Sequence, residues 1–168
     1  YERTPYYAYR EIESSDSFKA QKRRGCHCRK VNRLLLRLVN RVQPATIIQA
    51  GKCGADSLYL QAGKPTAQYL SFTSKDVARL PSALQVDFLY IAYPEDAATV
   101  ERFFEYGADR TTSHSMIVVR DIYRSAEMKA LWKQIVADNR VGVTFDLYDL
   151  GILFFDDSKI KQHYTVNF

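Results

Sequence analysis

Residues 45–61 read ATIIQAGKCGADSLYLQ, and this segment determines the architecture of the chain. Its first six residues form a short apolar run with β-branched side chains, which favours a strand. Gly51 and Gly54 follow in the sequence GKCG, and residues 56–61 are typical of a helix. A strand, a glycine turn and a helix in this order open a βαβ unit, so we predict an α/β protein with a parallel sheet.

The segments on both sides of this unit continue the alternation of helices and strands. Upstream, apolar residues recur every three or four positions from Val31 to Val42, which predicts an amphipathic helix that ends before Pro44. Downstream, the predicted helix that starts near residue 97 ends at Gly107, and Ser125 caps the helix that starts near residue 126. The predicted downstream strands are residues 67–72, 86–93 and 115–119, and the helices that follow them start near residues 73, 97 and 126.

The final third of the chain contains three strand-like runs, residues 141–147, 151–155 and 163–168. Because only short turns separate them, we predict that they pair antiparallel. The last run alternates, so Phe168 is expected to be anchored in a strand. The predicted fold class is therefore α/β, with a mainly parallel central sheet, antiparallel C-terminal strands and an N-terminal helix.

Composition fits one globular domain. The 168 residues include 46% hydrophobic and 26% charged side chains, with only 7 Gly and 5 Pro. These values exclude a disordered chain, a collagen-like repeat and a disulfide scaffold. No apolar run approaches the ~20 residues that span a bilayer, so we expect no membrane partner.

Positive charge is concentrated in the N-terminal quarter, where residues 1–44 hold 11 Lys and Arg against 4 Asp and Glu. This pattern is typical either of a solvated helical face or of a nucleic-acid surface, and it favours the solvated face because no recognised nucleic-acid-binding motif accompanies it. We predict a basic, aromatic arm over residues 1–29, either a short helix or poorly ordered, and an α/β domain over residues 30–168.

The three cysteines are Cys26, Cys28 and Cys53. An odd number, with two of them one residue apart, is poor geometry for a structural disulfide, so we predict a reducing, cytoplasmic location. Cys26, His27 and Cys28 resemble zinc ligands in type, but no second pair follows at a fitting distance. We therefore expect no metal site and interpret these residues as loop thiols beside a polar histidine.

Four segments in order resemble the motifs of class I, Rossmann-like S-adenosylmethionine-dependent methyltransferases. Residues 47–54 resemble the first motif, in which a strand enters a glycine loop beneath the methionine part of the cofactor. Residues 87–93 resemble the fourth-strand motif, residues 116–123 the fifth strand and its loop, and residues 146–155 the closing hairpin. The resemblance covers residues 30–168 and implies a Rossmann-like three-layer sandwich.

The same resemblance implies a set of site residues. Gly51 is interpreted either as a glycine that lets backbone amides approach a ligand or as a simple turn residue. Asp121 is either a catalytic group at the end of a buried strand or a turn or cap residue. The implied cofactor is S-adenosylmethionine, with candidate contacts Gln49, Ala50, Gly51, Gly54, Ser71, Phe72 and Tyr93, and the candidate catalytic residues are Asp121 and Tyr123.

The chain departs from the family pattern in several places. Gln49 stands where the family has an acid at the end of the first strand, and Ser71 and Phe72 stand where an acid binds the ribose hydroxyls. Arg120 replaces one of the paired acids of metal-dependent members, which predicts metal-independent chemistry. Only 33 residues separate Gly54 from Phe88, so we expect the sheet to lack one edge strand.

We therefore predict an S-adenosylmethionine-dependent methyltransferase with an unidentified acceptor. It would work mainly by in-line positioning, with Asp121 or Tyr123 orienting or deprotonating the acceptor. The alternative is a degenerate member that keeps the fold as a binding or assembly module, and its basic N-terminal region is then a candidate nucleic-acid surface. Asp146 and Asp149 flank a predicted turn and are interpreted as solvated turn residues.

Overall fold

The computed structural model describes residues 5–22, 29–92 and 96–168. The α-helices in these residues are Pro5–Ser14 (α1), Asp16–Lys22 (α2), Arg29–Val42 (α3), Asp56–Gly63 (α4), Ala97–Ala108 (α5) and Ala126–Ala137 (α6), and Ser74–Arg79 forms a 3-10 helix. The strands are Thr46–Ala50 (β1), Gln68–Phe72 (β2), Phe88–Ile91 (β3), Met116–Arg120 (β4), Val143–Asp146 (β5), Leu150–Phe154 (β6) and Gln162–Thr165 (β7). The predicted alternation of helices and strands is confirmed.

In the described residues the strands form one sheet, in the order β2-β1-β3-β4-β6-β5-β7. Strands β2, β1, β3 and β4 are parallel, and β6 is antiparallel to both β4 and β5. Strand β2 forms one edge, and within the described part of the chain no further strand lies beyond it. The interval between Gly54 and Phe88 thus contributes one strand, β2, to the sheet.

Helices cover both faces of the sheet, which makes the molecule a three-layer sandwich. On one face Ile48, Leu89 and Ile117 pack against α5 and α6. On the other face Ile47, Phe88 and Val118 pack against α3 and α4. Because successive side chains of a strand point to opposite faces, a strand covered on both sides must be apolar throughout. This requirement explains the nearly unbroken apolar runs of β3 and β4.

Helix α5 contains Gly107 and ends one residue later, whereas the sequence predicts closure at Gly107. A Cβ at this position would lie 2.5 Å from Cδ2 of Leu89 and 3.0 Å from Cδ1 of Ile117. Gly107 therefore lets the helix approach the sheet closely and does not stop it.

The prediction that the three C-terminal strands pair antiparallel is wrong for β7. Strand β7 pairs with β5 and runs parallel to it, with Val143 opposite Gln162. The end of β6 also lies opposite Val143, so β6 ends and β7 begins at the same end of the sheet. Strand β7 therefore runs antiparallel to β6. It lies on the other side of β5, however, and pairs with β5.

The expectation that Phe168 is anchored in a strand is also wrong. Strand β7 ends at Thr165, all four of its residues are exposed, and the Phe168 side chain is 38% exposed. Tyr164 stacks on Phe145 with ring centroids 5.2 Å apart, and Lys30 Nζ lies 4.6 Å from the centroid of Phe168. The strand lies at the open edge of the sheet, where no described helix covers it.

Residues 5–22 form α1 and α2, which pack onto the helical layer over α3 and α4. Tyr9 and Phe18 are buried there against Leu36, Ala55 and Tyr59. Among the described residues, no helix has both the length and the apolar character that crossing a membrane requires.

Candidate active site

Gly51 makes the turn at the carboxyl end of β1. Its φ is 97°, in the left-handed region that side-chain-bearing residues avoid. The Gly51 N–H donates to the carbonyl oxygen of Phe72 at 2.8 Å, which ties the turn to the end of β2. Gly51 therefore makes a turn, and this turn opens at the edge of the sheet where α/β proteins bind ligands, so its contact with a ligand stays a prediction.

Asp56 organises the loop that follows this turn. Its Oδ1 accepts hydrogen bonds from the N–H groups of Gly54 at 2.9 Å and of Ser57 at 3.0 Å. Asp56 is buried in the first turn of α4, where a negative charge faces the positive end of the helix dipole. Asp56 was not among the residues predicted for the site, although an aspartate at a helix start after a glycine loop is a recognisable signal.

A series of polar side chains runs from the interior to the surface beside the Gly51 turn. Gln49 is fully buried, and its Oε1 accepts a hydrogen bond from the Tyr69 hydroxyl at 2.5 Å. The Tyr69 oxygen lies 3.8 Å from Cys53 Sγ, and that sulfur lies 2.8 Å from Ser71 Oγ. Burial, and then the neighbouring Cys53, raise the pKa of Tyr69. Cys53 and Ser71 are both exposed, so this series ends at a thiol and a hydroxyl open to a ligand.

The Gln49 amide has an unusual environment. Its Nε2 is buried without a hydrogen-bond partner among the described residues. A buried donor without a partner is costly, and its presence commonly marks a site that a bound molecule or water completes. Gln49 therefore presents a polar group where the carboxyl end of β1 meets the loop.

Tyr90 lies opposite Gln49 in the pairing of β1 with β3, and Arg120 is the last residue of β4. Arg120 Nη1 lies 3.4 Å from the hydroxyl of Tyr90, and its Nε lies 3.7 Å from Oδ2 of Asp121. Burial raises the pKa of Tyr90, and the charge of Asp56 adds to this effect. The guanidinium of Arg120, whose side chain is 15% exposed, thus brings a positive charge to the carboxyl end of β4.

Asp121 begins the loop after β4 in a left-handed conformation, with φ of 54°. Its N–H donates to the carbonyl oxygen of Asp149 at 2.8 Å, which joins this loop to the β5–β6 turn. Burial raises the pKa of the Asp121 carboxyl, and the charge of Arg120 opposes that effect. The Asp121 side chain faces a cavity of about 320 Å³, which is lined by Asp121, Tyr123, Arg124, Tyr148 and Asp149.

Tyr123 and Tyr148 form an aromatic wall of this cavity. Their rings stack with centroids 5.3 Å apart and planes inclined by 21°. The Tyr123 hydroxyl donates to Oδ2 of Asp146. This hydrogen bond, with burial and the negative charge of Asp146, raises the pKa of Tyr123 to about 12. Tyr123 therefore stays protonated at neutral pH.

The interpretation of Asp146 as a solvated turn residue is wrong, because Asp146 is buried and 2% exposed. Its carboxylate accepts hydrogen bonds from the Tyr123 hydroxyl, the Trp132 indole and the N–H of Tyr148. Asp149, by contrast, is exposed at the cavity, in keeping with a turn position.

The structure brings the predicted site residues together in two groups. Gln49 pairs with Ser71 and Ala50 with Phe72 across β1 and β2, beside Gly51. The Ala50 and Phe72 side chains pack into the core toward α5 and α6, so only their backbones face the loop. Asp121 and Tyr123 lie two strands away, after β4. Tyr93 lies outside the described residues, as do Cys26, His27 and Cys28, and in the described part of the chain no three His, Cys, Asp or Glu side chains converge as metal ligands.

The chain was compared with known proteins at the levels of sequence and structure. No protein-family model matches the sequence, and no curated protein matches it significantly. The methyltransferase PaMTH1 of Podospora anserina, solved with S-adenosylhomocysteine, is 10% identical with a TM-score of 0.64, and the match covers 93% of this chain and 97% of that one. The O-methyltransferase TomG of Streptomyces achromogenes, solved with S-adenosylmethionine, is 9% identical with a TM-score of 0.64 over 89% of this chain and 94% of that one.

A third similar structure is the O-methyltransferase of Bacillus cereus, solved with S-adenosylhomocysteine. It is 11% identical with a TM-score of 0.56, and the match covers 88% of this chain and 90% of that one. Matches that span most of both chains at such low identity identify a shared architecture. The chain therefore has the fold of the class I S-adenosylmethionine-dependent methyltransferases.

Proposed function

We propose that this protein transfers a methyl group from S-adenosylmethionine to an unidentified acceptor without a metal ion. The observation that carries the proposal is the left-handed Gly51 turn at the carboxyl end of β1, with the exposed Ser71 and Cys53 beside it. Three proteins of the same fold were solved with S-adenosylmethionine or S-adenosylhomocysteine, which supports the same cofactor here.

The residues at the carboxyl ends of β1 and β2, here called the cofactor half, fit such a ligand. Residues 51–54 would hold the methionine part, because Gly51 has no side chain to obstruct the approach to the turn. Ser71 and Cys53 would face the ribose, and the unpartnered Gln49 amide would supply a further donor. Phe72 contributes its backbone, and Tyr93 stays a predicted contact.

The ribose contacts differ from those of the family pattern. A carboxylate accepts two charge-assisted hydrogen bonds from a diol, whereas a hydroxyl and a thiol accept weaker ones. Ser71 and Cys53 therefore predict a lower affinity for S-adenosylmethionine than an acid at this position would give.

The residues around the cavity after β4, here called the acceptor half, would bind the methyl acceptor. The cofactor supplies a methyl group that its sulfonium already activates, so positioning is the main task of the protein. Asp121 would act as the general base. Burial raises the pKa of its carboxyl toward neutral pH, and Asp121 lines the cavity. Tyr123 would orient the acceptor, since its own proton is directed to Asp146.

A metal-independent reaction is consistent with the charge around Asp121. Arg120 lies 3.7 Å from the Asp121 carboxylate, and its guanidinium would repel a divalent cation at that position. Activity that EDTA abolishes and magnesium restores would contradict this part of the proposal.

The cofactor half is tested by calorimetric titration with S-adenosylhomocysteine. We expect heat of binding and a thermal shift for the wild-type protein, and weaker binding for Ser71→Ala. Ser158→Ala is a matched control, because Ser158 bonds Asp156 in the loop before β7, away from β1 and β2. No heat at millimolar ligand would favour the degenerate alternative, in which the fold serves binding or assembly.

Two arginines of the N-terminal basic region, Arg33 and Arg37, have partners within the protein and so give little support to nucleic-acid binding. Arg33 forms two hydrogen bonds of 3.0 Å with Glu13, and Arg37 donates to the Tyr9 hydroxyl at 2.7 Å. These arginines join α1 to α3 and are used within the protein. The cytoplasmic location remains a prediction, which the free thiol of Cys53 supports and imaging of a tagged protein would test.

A further inference from the structure

Asp146, at the end of β5, is a buried carboxylate that accepts hydrogen bonds from three separate parts of the chain. Its Oδ2 accepts from the Tyr123 hydroxyl and from Trp132 Nε1, the latter at 3.3 Å. Its Oδ1 accepts from the N–H of Tyr148 at 2.9 Å. A buried carboxylate is tolerated when donors satisfy it in this way, and it then holds those donors firmly in place.

The fold brings these donors together through the pairing of β5 with β6. Gly151 lies opposite Asp146 in that pairing, and the Trp132 indole of α6 lies over Gly151. A Cβ at Gly151 would lie under 3.0 Å from three atoms of the Trp132 ring. The glycine thus creates the space in which the indole reaches the Asp146 carboxylate.

The contacts of Asp146 determine the geometry of the acceptor half. Tyr148 has a φ of 67°, a conformation that is unfavourable for a tyrosine, and the bond from its N–H to Asp146 stabilises it. The Tyr123 hydroxyl is fixed to the same carboxylate. Both rings are exposed, by 36% and 71% respectively, yet their stacked arrangement is anchored to a buried group.

We propose that Asp146 is a positioning residue that makes Tyr123 a hydrogen-bond acceptor toward the cavity, and so selects methyl acceptors that approach with an O–H or N–H donor. The Tyr123 proton is committed to Asp146, which leaves the phenol oxygen able only to accept a further hydrogen bond. The carboxylates of Asp121 and Asp149 also accept, whereas Arg124 and the Tyr148 hydroxyl carry the donors of the lining. An acceptor that brings only a carboxylate would find no donor at Tyr123 and would meet like charge at Asp121 and Asp149. The selection of methyl acceptors rests on the proposed function, whereas the effect of Asp146 on Tyr123 does not.

The first test measures the pKa of Tyr123 by NMR of ring-labelled tyrosine, with Tyr123→Phe used to assign the signal. We expect Tyr123 to titrate near 12 in the wild-type protein, in keeping with its bond to Asp146, and near the ordinary value of about 10 in Asp146→Asn. Asp138→Asn is the matched control, because it removes a carboxylate that pairs with Arg140 at 2.7 Å in another part of the molecule. It should leave the pKa of Tyr123 unchanged.

If Asp146→Asn fails to fold, two other measurements decide the role of Asp146. Trp132→Phe removes one donor and leaves the carboxylate, so Tyr123 should still titrate well above 10. A Tyr123 that titrates near 10 in the wild-type protein would overturn the inference. Binding of S-adenosylhomocysteine is measured separately, and its loss would refute the proposed function without changing the titration of Tyr123.

The second test concerns selection of the acceptor. Radiolabelled methyl transfer would be measured to sets of small molecules that bear a hydroxyl, an amine or only a carboxylate. Transfer to hydroxyl or amine acceptors, with a fall in kcat/KM for the acceptor but an unchanged KM for S-adenosylmethionine in Asp146→Asn, supports the inference. Transfer to carboxylate acceptors alone would overturn it.

Discussion

The cofactor half and the acceptor half lie at the same edge of the sheet but are built from different chemistry. The cofactor half presents a hydroxyl and a thiol, Ser71 and Cys53, and leaves the buried Gln49 amide without a partner among the described residues. The acceptor half contains carboxylates, and its buried Asp146 accepts three hydrogen bonds. The comparison shows an acceptor half whose buried carboxylate already has its donors, whereas the cofactor half holds a buried amide that a ligand would complete.

The largest expected effect comes from Gly151→Ala, which disrupts the acceptor half. The added Cβ would overlap the Trp132 ring and displace the indole from Asp146. We expect a loss of about 3 kcal/mol in the free energy of unfolding, at the upper end of overpacking effects. Urea denaturation measures this loss.

Gly54→Ala is the matched control for stability in the cofactor half, since its Cβ would meet only Asp56 Oδ1, at an ordinary 3.5 Å. Equal stability of the two variants would contradict this account.

Asp121→Asn tests the proposed base of the acceptor half. Removing a general base typically lowers the rate by about 10²–10⁴-fold, and we expect a loss in that range with unchanged affinity for S-adenosylhomocysteine. Asparagine tolerates the left-handed conformation at this position, so the loop should keep its shape. Activity near that of the wild type would exclude Asp121 as the base.

The same variant has a pH-dependent effect on stability. Burial raises the folded-state pKa of Asp121 above its unfolded value, so ionisation of the carboxyl disfavours the folded state. Below the unfolded-state pKa of about 4, the carboxyl is neutral in both states and does not lower the free energy of unfolding. As the pH rises through the folded-state pKa, the carboxyl ionises in the folded protein and the free energy of unfolding falls. Asp121→Asn should therefore be more stable than the wild type at pH 7, and the difference should disappear toward pH 4. Urea unfolding at both pH values measures it, and a less stable variant at pH 7 would contradict the burial argument.

Gly51→Ala perturbs the cofactor half. Alanine at a φ of 97° is strained, and a left-handed residue with a side chain costs about 1–2 kcal/mol. We expect this smaller loss of stability together with weaker binding of S-adenosylhomocysteine. Ser158→Ala serves as the control for binding, because Ser158 lies outside the cofactor half. A Gly51→Ala variant that binds as tightly as this control would show that the turn does not contact the ligand.

Local signals in the sequence predicted most of the fold. Strands β3 and β4 are buried on both faces, so their unbroken apolar runs were unambiguous. The short interval between Gly54 and Phe88 leaves room for few elements, and in the structure it holds one strand, β2, at the edge of the sheet. Strand β7 was misassigned because alternation identifies a strand but not its neighbour, and the exposed edge places little constraint on its side chains. Removal of residues 164–168 is accordingly expected to destabilise the protein less than the loss of a central strand.

The candidate site was only partly predictable. The Gly51 turn depends on adjacent residues, so a glycine after a strand was sufficient to locate it. Asp146 was missed because its burial depends on Trp132 and Tyr123, which are 14 and 23 residues away, and on the space left by Gly151. A turn aspartate and a buried carboxylate have the same appearance in the sequence until tertiary packing is known.

The central claim is that S-adenosylmethionine binds the cofactor half through weak ribose contacts. Calorimetric titration of S-adenosylhomocysteine into the wild type and Ser71→Asp tests it most directly, because the variant adds the carboxylate that Ser71 lacks. We predict measurable binding to the wild type and about tenfold tighter binding to the variant, since a charge-assisted hydrogen bond adds more than about 1.4 kcal/mol. No heat with either protein at millimolar ligand would contradict the claim.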